Sequence, residues 1–289
     1  MSERSHPKTF GIYIKNIYSK ILIFLTIIFL LIFLLIIGYP LLWMVINSFK
    51  DTATIFGDTW GLPEKWNFSN FSEAWELGIS NYFFNSVIVT TLTCLITVIF
   101  SSFAAFALSR FNFIGKNFFI VFISAGLMFS PEVSLIPLYK LTQLLGIYDT
   151  YLALILPYVA FQMPLTMLLF RAHFLGIDKE LEESAYLDGC SSIGFLFKII
   201  FPLSMPIILT ATVLISFFAW NEFLFSLVFL DTDSLKTIPT GLLAFKGAVS
   251  TNWGVMMAGL TISALPIILL FLFTQKYFIK GITDGGIKG

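Results

Sequence analysis

Hydrophobic positions in this 289-residue chain fall into six long runs, separated by short stretches that contain charged residues. A helix needs about 20 consecutive apolar residues to cross a bilayer. The runs lie between these pairs of charged residues: Lys20 and Lys50, Glu76 and Arg110, Lys116 and Glu132, Asp149 and Arg171, Lys198 and Glu222, and Lys246 and Lys276. The third run reaches full length only if Glu132 lies at its far end or faces protein. The pattern therefore predicts an all-α, polytopic membrane protein with six transmembrane helices.

Composition supports a bilayer as the solvent of this chain. Hydrophobic residues make up 57% and charged residues 12% of the sequence, and the mean hydropathy is +0.90. Soluble domains carry about 25% charged residues, so this chain could not cover a globular surface in water. The formal net charge is zero, and no nucleic-acid partner is predicted. The first run is longer than the roughly 7 to 15 apolar residues of a signal peptide, and we expect it to be retained.

The distribution of Lys and Arg predicts the orientation of the chain. Twelve of these residues lie in the two terminal segments and in alternate loops, and five lie in the remaining loops. Because loops rich in Lys and Arg face the cytoplasm, both termini are predicted to be cytoplasmic. The expected organisation is a cytoplasmic N-terminal segment (residues 1–20), a six-helix transmembrane domain (residues 21–276) and a cytoplasmic C-terminal tail (residues 277–289).

A polar stretch at residues 178–202 interrupts the apolar pattern between the fourth and fifth runs, on the predicted cytoplasmic side. Its first part, "DKELEESAYLDG", predicts a short helix whose early carboxylates complement the positive end of the helix dipole. These carboxylates are Glu180, Glu182 and Glu183. Gly189 is a natural residue for ending this helix and reversing the chain.

The second part of the stretch predicts another short helix, capped by Ser191 or Ser192. We expect Pro202 to end this helix and to open the fifth span. Three apolar side chains are predicted to lie near one face: Ile193, Phe197 and Ile200. Such a helix–glycine–helix knob suits insertion into a groove on another protein. An amphipathic connector that lies in the membrane interface and tethers two spans is the alternative.

The spacing within this stretch resembles the EAA loop of ABC importer permeases, E-A-A-x3-G-x9-I-x-L-P. Five of the seven fixed positions agree, namely Glu183, Ala185, Gly189, Ile199 and Pro202. The two departures are Ser184 and Phe201. Four stretches outside the loop are similar to the carbohydrate-uptake subfamily and, within it, to the smaller maltose-type permease. They are "SPEVSLIPLYKLTQLLGIYDTYLALILPY", "AWNEFLFSLVFL", "TIPTGLLAF" and the tail "TQKYFIKGITDGGIKG". The resemblance implies a type I ABC importer permease fold in a bacterial or archaeal cell membrane.

The resemblance also implies a set of partners. In that family a second permease subunit completes the path, an extracytoplasmic solute-binding protein delivers a sugar, oligosaccharide or related polyol, and a cytoplasmic ATPase dimer binds ATP and Mg. The EAA loop contacts a cleft of the ATPase and moves the spans between inward-open and outward-open states. This chain has no Walker A sequence, so we expect no catalytic residue, metal or cofactor of its own.

Within the loop, the resemblance implies roles for individual residues in contact with the ATPase. Glu183 is expected to make a polar or ionic contact, Ser184 and Ala185 to permit close packing, and Gly189 to set the turn angle. The full predicted set of ATPase-coupling residues is Glu183, Ser184, Ala185, Asp188, Gly189, Ile199 and Pro202.

Ionisable or polar residues near the ends of the spans are candidates for a substrate pathway or gate. They are Glu132, Asn221 and Glu222. Such groups by default face the bundle interior or a water-filled path, although they could equally cap or brace the bundle at its outer interface. The outer segment at residues 47–81, which contains three Trp residues, is expected either to contact the binding protein or to anchor in the interface.

Two alternatives remain open from the sequence. An ion-coupled secondary carrier would need an essential buried carboxylate and no ATPase partner. An ABC importer permease for a solute other than a sugar would share every feature of the loop.

Overall fold

The computed structural model describes residues 8–249 and 252–286, with side chains for 20–249 and 252–276. The predicted terminal segments fall partly outside these residues, at 1–7 and 287–289. The described residues form fourteen α-helices: α1 (Lys8–Asn47), α2 (Thr52–Gly57), α3 (Ser69–Ala74), α4 (Ser80–Arg110), α5 (Lys116–Ala125), α6 (Pro131–Leu144), α7 (Leu152–Leu175), α8 (Lys179–Leu187), α9 (Ser192–Phe195), α10 (Phe201–Leu203), α11 (Met205–Asn221), α12 (Leu224–Phe229), α13 (Ile238–Ala248) and α14 (Trp253–Gly286). A single π-helical turn lies at Leu196–Ile200, and the segment between α3 and α4 is kinked at Gly78, whose φ is +121°.

Four helical segments are long and apolar enough to cross a membrane, and they are Lys20–Asn47, Ser69–Arg110, Leu152–Leu175 and Trp253–Lys276. The two shortest of these segments have 24 residues each. At 1.5 Å of rise per residue, their length exceeds the roughly 30 Å thickness of a bilayer core. Two further pairs of helices meet the same test jointly but are sharply bent. The predicted six spans are reached when each bent pair is counted as one span.

The first bent pair consists of residues 116–128 and Pro131–Leu144, and the direction of the chain bends by 103° between them. The break has a local cause, because Pro131 disfavours helical backbone at the preceding residue, Ser130. Ser130 is extended (φ −87°, ψ 146°), and its hydroxyl accepts the backbone N–H of Val133 at 3.4 Å. The third predicted run is therefore short because the helix ends before Glu132.

The second bent pair corrects the expected role of Pro202. We predicted that Pro202 ends the short helix, but the helical segment continues to Leu203 and bends by 79° at Ser204. Pro202 follows the π-helical turn at Leu196–Ile200, and such local π adjustments accommodate a proline within a helical segment. The next proline, Pro206, has no N–H with which to continue the helical ladder, and α11 starts afresh at Met205.

The core of the bundle is formed by α4, α7, α11 and α14, with α4 packed along α7 and α11 packed against both α4 and α14. The buried face of α4 is rich in small residues, which allow close helix approach in membranes. These include Thr93, Thr97, Ser101, Ser102 and Ala105. By contrast, none of the most apolar part of α1 is buried against the other described residues.

Candidate functional site

The polar stretch forms a short helical hairpin at one end of the bundle, which we call the α8 end. Glu180 and Glu182 lie in the first turn of α8, as the dipole argument predicts. The chain turns at Gly189, whose φ of +79° lies in the left-handed region that glycine adopts without strain. The backbone N–H of Cys190 donates to the carbonyl of Ala185 at 2.9 Å and closes the end of α8.

The return half of the hairpin starts at Ser191, whose hydroxyl accepts the N–H of Gly194 at 3.1 Å. The predicted common face of Ile193, Phe197 and Ile200 is wrong. Ile200 is buried, whereas Ile193 and Phe197 are exposed. The π-helical turn at Leu196–Ile200 has an i→i+5 hydrogen-bond pattern, which shifts later side chains from the face that a regular helix would give them.

The inner face of the hairpin packs on the ends of α4 and α7. Ala185 is 6% exposed and belongs to the same buried cluster as Phe106, Phe174 and Phe195. Its small side chain allows α8 to lie close to the bundle. Ala185 therefore contacts this chain's own core and leaves little surface for another protein.

The outer face of α8 is open. Glu183, Ser184, Asp188 and Gly189 are all exposed, and the Ser184 hydroxyl donates to the Glu180 carbonyl at 2.8 Å. Leu187, which we did not single out from the sequence, has 89% of its surface exposed. Its position four residues after Glu183 was the available signal, because residues spaced by four lie on one helix face.

The last two predicted loop residues lie outside this open face of α8. Ile199 is half-buried and packs against the cluster under Ala185, and Pro202 is exposed in α10. The structure therefore groups the predicted residues of α8 and its turn on one surface, while Ile199 and Pro202 belong to the segment that leads back into the membrane.

Sequence reasoning also missed Arg110, which we treated only as the end of the second apolar run. Its guanidinium forms an ion pair with the Glu182 carboxylate at 3.2 Å. The two residues are far apart in the sequence, and no local pattern connects them.

The candidate pathway residues are not assembled into one site by any hydrogen bond or ion pair among the described residues. Glu222 accepts the Tyr158 hydroxyl at 2.6 Å and the backbone N–H of Phe225 at 2.9 Å, so it braces α7 against the start of α12. Asn221 is exposed and donates to the Phe217 carbonyl at 2.7 Å. Glu132 is exposed in the first turn of α6. For Glu222 the geometry matches the bracing alternative.

At the opposite end of the bundle, Asp149 joins the turn before α7 to the segment after α12. Its carboxylate accepts the backbone N–H groups of Asp231 and Thr232, each at 3.0 Å, and also the Thr232 hydroxyl. These hydrogen bonds, with that of the Thr232 hydroxyl the strongest, hold the pKa of Asp149 below its usual value. Among the described residues, no three His, Cys, Asp or Glu side chains converge as metal ligands.

Comparison with known proteins relates the chain to one family. A profile described as "Binding-protein-dependent transport system inner membrane component" matches residues 97–284. "Probable ABC transporter permease protein YurM" of Bacillus subtilis is 55% identical over 91% of this chain and 87% of that protein. The "Trehalose/maltose transport system permease protein MalG" of Thermococcus litoralis is 36% identical, over 87% of this chain and 91% of that one.

A solved structure is similar along nearly the whole chain. It is the crystal structure of a bacterial ABC transporter involved in the import of the acidic polysaccharide alginate. The matched chain is 24% identical and superposes with a TM-score of 0.76, covering 96% of this chain and 100% of the other. At this level of identity the likeness concerns the fold, and it confirms the predicted fold class.

Proposed function

Because the chain belongs to the family of binding-protein-dependent transport system inner membrane components, we propose that it is one permease subunit of an ATP-driven importer for a sugar, oligosaccharide or related polyol. Membership of this family confirms the resemblance drawn from residues 183–202. The proposed complex contains a second permease subunit, an ATPase dimer that binds ATP and Mg, and an extracytoplasmic solute-binding protein.

The observation that carries the proposal is the open outer face of α8. Leu187 is 89% exposed, outside the membrane-spanning segments and on a helix otherwise rich in carboxylates. An apolar side chain surrounded by polar groups is the usual composition of a protein contact, with a desolvated anchor inside a polar rim. We therefore assign Leu187 as the anchor and Glu183, Ser184 and Asp188 as the rim that contacts the ATPase.

The inner face of α8 supplies the second half of the mechanism. Ala185 packs on the ends of α4 and α7. A force that displaces α8 is therefore passed to these two helices, which move with it. Closure of the ATPase dimer on ATP would move α8, and the connected spans would then rock between inward-open and outward-open states as rigid bodies. The chemistry of ATP hydrolysis stays on the partner, and this chain provides position and transmission.

This mechanism requires the α8 end to be cytoplasmic, which is the orientation that the Lys and Arg distribution favours. It follows that the opposite end, with α2 and α3, faces outward. There Trp60 and Trp66 are 70% and 53% exposed. We propose that this outer segment contacts the solute-binding protein, with interfacial anchoring of the tryptophans as the alternative role.

The carbohydrate class rests on the relatives. The Thermococcus litoralis protein is described as a trehalose/maltose permease, and it aligns with this chain over most of its length. Binding of a panel of mono- and oligosaccharides to the cognate solute-binding protein would test the class directly. Binding of an amino acid or an ion by that protein, and of no sugar, would contradict it.

The partnership with the ATPase is tested by purification of the tagged chain from its native membrane. We expect the second permease and the ATPase dimer to copurify with the wild-type chain. Leu187→Glu and Glu183→Lys should insert normally but lose most of the ATPase. Leu144 is a matched control, since it is 83% exposed on another helix, and Leu144→Glu should retain the ATPase. Equal retention by Leu187→Glu and Leu144→Glu would contradict the proposed contact.

A further inference from the structure

We propose that Arg110 is the positioning residue that fixes α8 to both α4 and α7, so that movement of α8 passes to two spans at once. This inference rests on the proposed function of α8. It concerns a residue outside the EAA spacing, and it adds a specific route from the docking helix into the membrane.

The geometry of Arg110 joins three helices at one point. Arg110 is the last residue of α4, and its guanidinium lies 3.2 Å from the Glu182 carboxylate of α8. One terminal nitrogen also donates to the carbonyl of Phe174, at the end of α7, at 2.8 Å and to that of Ile177, in the connection between α7 and α8, at 3.1 Å. We call this set of contacts, made by Arg110, Glu182, Phe174 and Ile177, the Arg110 clamp.

The chemistry of the clamp requires an arginine. The Phe174 carbonyl lies in the last turn of α7, where the negative end of the helix dipole attracts a positive charge. The guanidinium has several donors in a fixed planar arrangement and can contact backbone carbonyls and a carboxylate together, whereas the lysine ammonium is a point charge. The Arg110 side chain is 4% exposed and that of Glu182 is 16% exposed, so water screens their interaction little.

The neighbouring carboxylate shows how specific the arrangement is. Glu182 turns inward to Arg110, whereas Glu183, the next residue, lies on the open face. The Arg110–Glu182 ion pair therefore joins α8 to the bundle through two side chains that are both largely buried. The remaining attachment of α8 includes the apolar contact of Ala185, which can slide more easily than a set of directional hydrogen bonds.

Arg171 provides a matched comparison within the same region. Its Nε donates to the Leu108 carbonyl at 3.3 Å, so it joins α7 to α4. No hydrogen bond or ion pair described for it reaches α8. A change at Arg171 therefore perturbs the packing of the two spans but leaves the clamp on α8 in place.

The test uses hydrogen–deuterium exchange on the complete purified complex in lipid nanodiscs, with and without ATP and vanadate. In Glu182→Gln and Arg110→Lys, amide exchange in residues 179–189 should be about tenfold faster, the factor expected for loss of one charge-assisted hydrogen bond. The change that nucleotide produces at the opposite end, in residues 221–235, should fall by at least half, while ATP hydrolysis measured without vanadate continues. Arg171→Lys should leave exchange in residues 179–189 as in the wild type, because its described hydrogen bond joins α7 to α4 and not to α8.

Each result decides the inference. Wild-type exchange in residues 179–189 of Glu182→Gln would overturn the clamp. So would a nucleotide response at residues 221–235 that persists in full after α8 has been loosened. If the ATPase does not copurify with the wild-type chain, the proposed function fails. The exchange of residues 179–189, measured on the full-length permease alone, still tests whether Arg110 fixes α8.

Discussion

At the scale of single residues, the position of α8 depends on Gly189, which has no side chain, and on Arg110, which has a long one. Gly189 allows the chain to reverse after α8 because its φ of +79° costs glycine little. Arg110 reaches from the end of α4 to acceptors on α7 and α8. Gly189 lies within the loop and Arg110 far outside it, although both determine the orientation of the open face of α8.

Replacing Gly189 by Ala should loosen the turn without any steric clash. No atom lies within 4 Å of the position that a Cβ would occupy, so the cost is the left-handed backbone conformation itself, about 1–2 kcal/mol. Asn tolerates this conformation better than other residues with a side chain, and Gly189→Asn should cost less. Thermal unfolding of the purified complex, followed together with ATPase retention, measures the difference. Equal stability of the Ala and Asn variants would contradict this account of the turn.

Residues whose roles depend on local backbone were predictable, and residues that act across the fold were not. The turn at Gly189 and the cap at Ser191 follow from signals within a few positions. The contacts of Glu222 with Tyr158 and of Glu182 with Arg110 join residues more than 60 positions apart. A single sequence specifies such pairs only through the packing of whole helices, which no local pattern encodes.

At the scale of helices, the apolar runs predicted where spans lie but not how they bend. Charged residues mark where a chain leaves the bilayer, and they say nothing about backbone dihedral angles. The breaks at Ser130 and Ser204 come from the nearby prolines Pro131 and Pro206 and from the π-helical turn before Phe201. Proline inside an apolar run was therefore the available signal for both bends, and Pro202 was the wrong proline to choose for the second.

The hydrogen bonds of Asp149 provide a pH-dependent test of how two outer segments are held together. Because these bonds lower the pKa of Asp149 in the folded protein, they stabilise the fold above the unfolded pKa of about 3.9. This stabilisation is lost as the pH falls through the lower folded-state pKa. Asp149→Asn, which should retain the left-handed backbone at φ 55°, removes the charge.

The expected result is a lower melting temperature for Asp149→Asn than for the wild type at pH 7. The difference should narrow progressively below about pH 4, as the wild-type carboxylate takes up its proton. Thermal unfolding in detergent at a series of pH values measures it. A difference that stays constant down to pH 3 would show that the charge of Asp149 does not support this contact.

At the scale of the whole molecule, the protein combines a packed bundle with surfaces that its own chain leaves uncovered. The bundle is built on small residues of α4, which let α7 and α11 approach closely. The apolar surface of α1 and the open face of α8 have no cover within the described residues. This arrangement fits a subunit that functions inside a larger membrane complex, as its family implies.

The central claim is that the open face of α8 contacts an ATPase in the cytoplasm. Photocrosslinking from a benzoylphenylalanine in place of Leu187, in intact cells, tests it most directly, with Leu144 as the control position. The account predicts an adduct between this chain and the ATPase subunit from position 187, and none from position 144. An adduct with the solute-binding protein from position 187, or labelling of a Ser184→Cys variant by a membrane-impermeant thiol reagent added outside the cell, would contradict it.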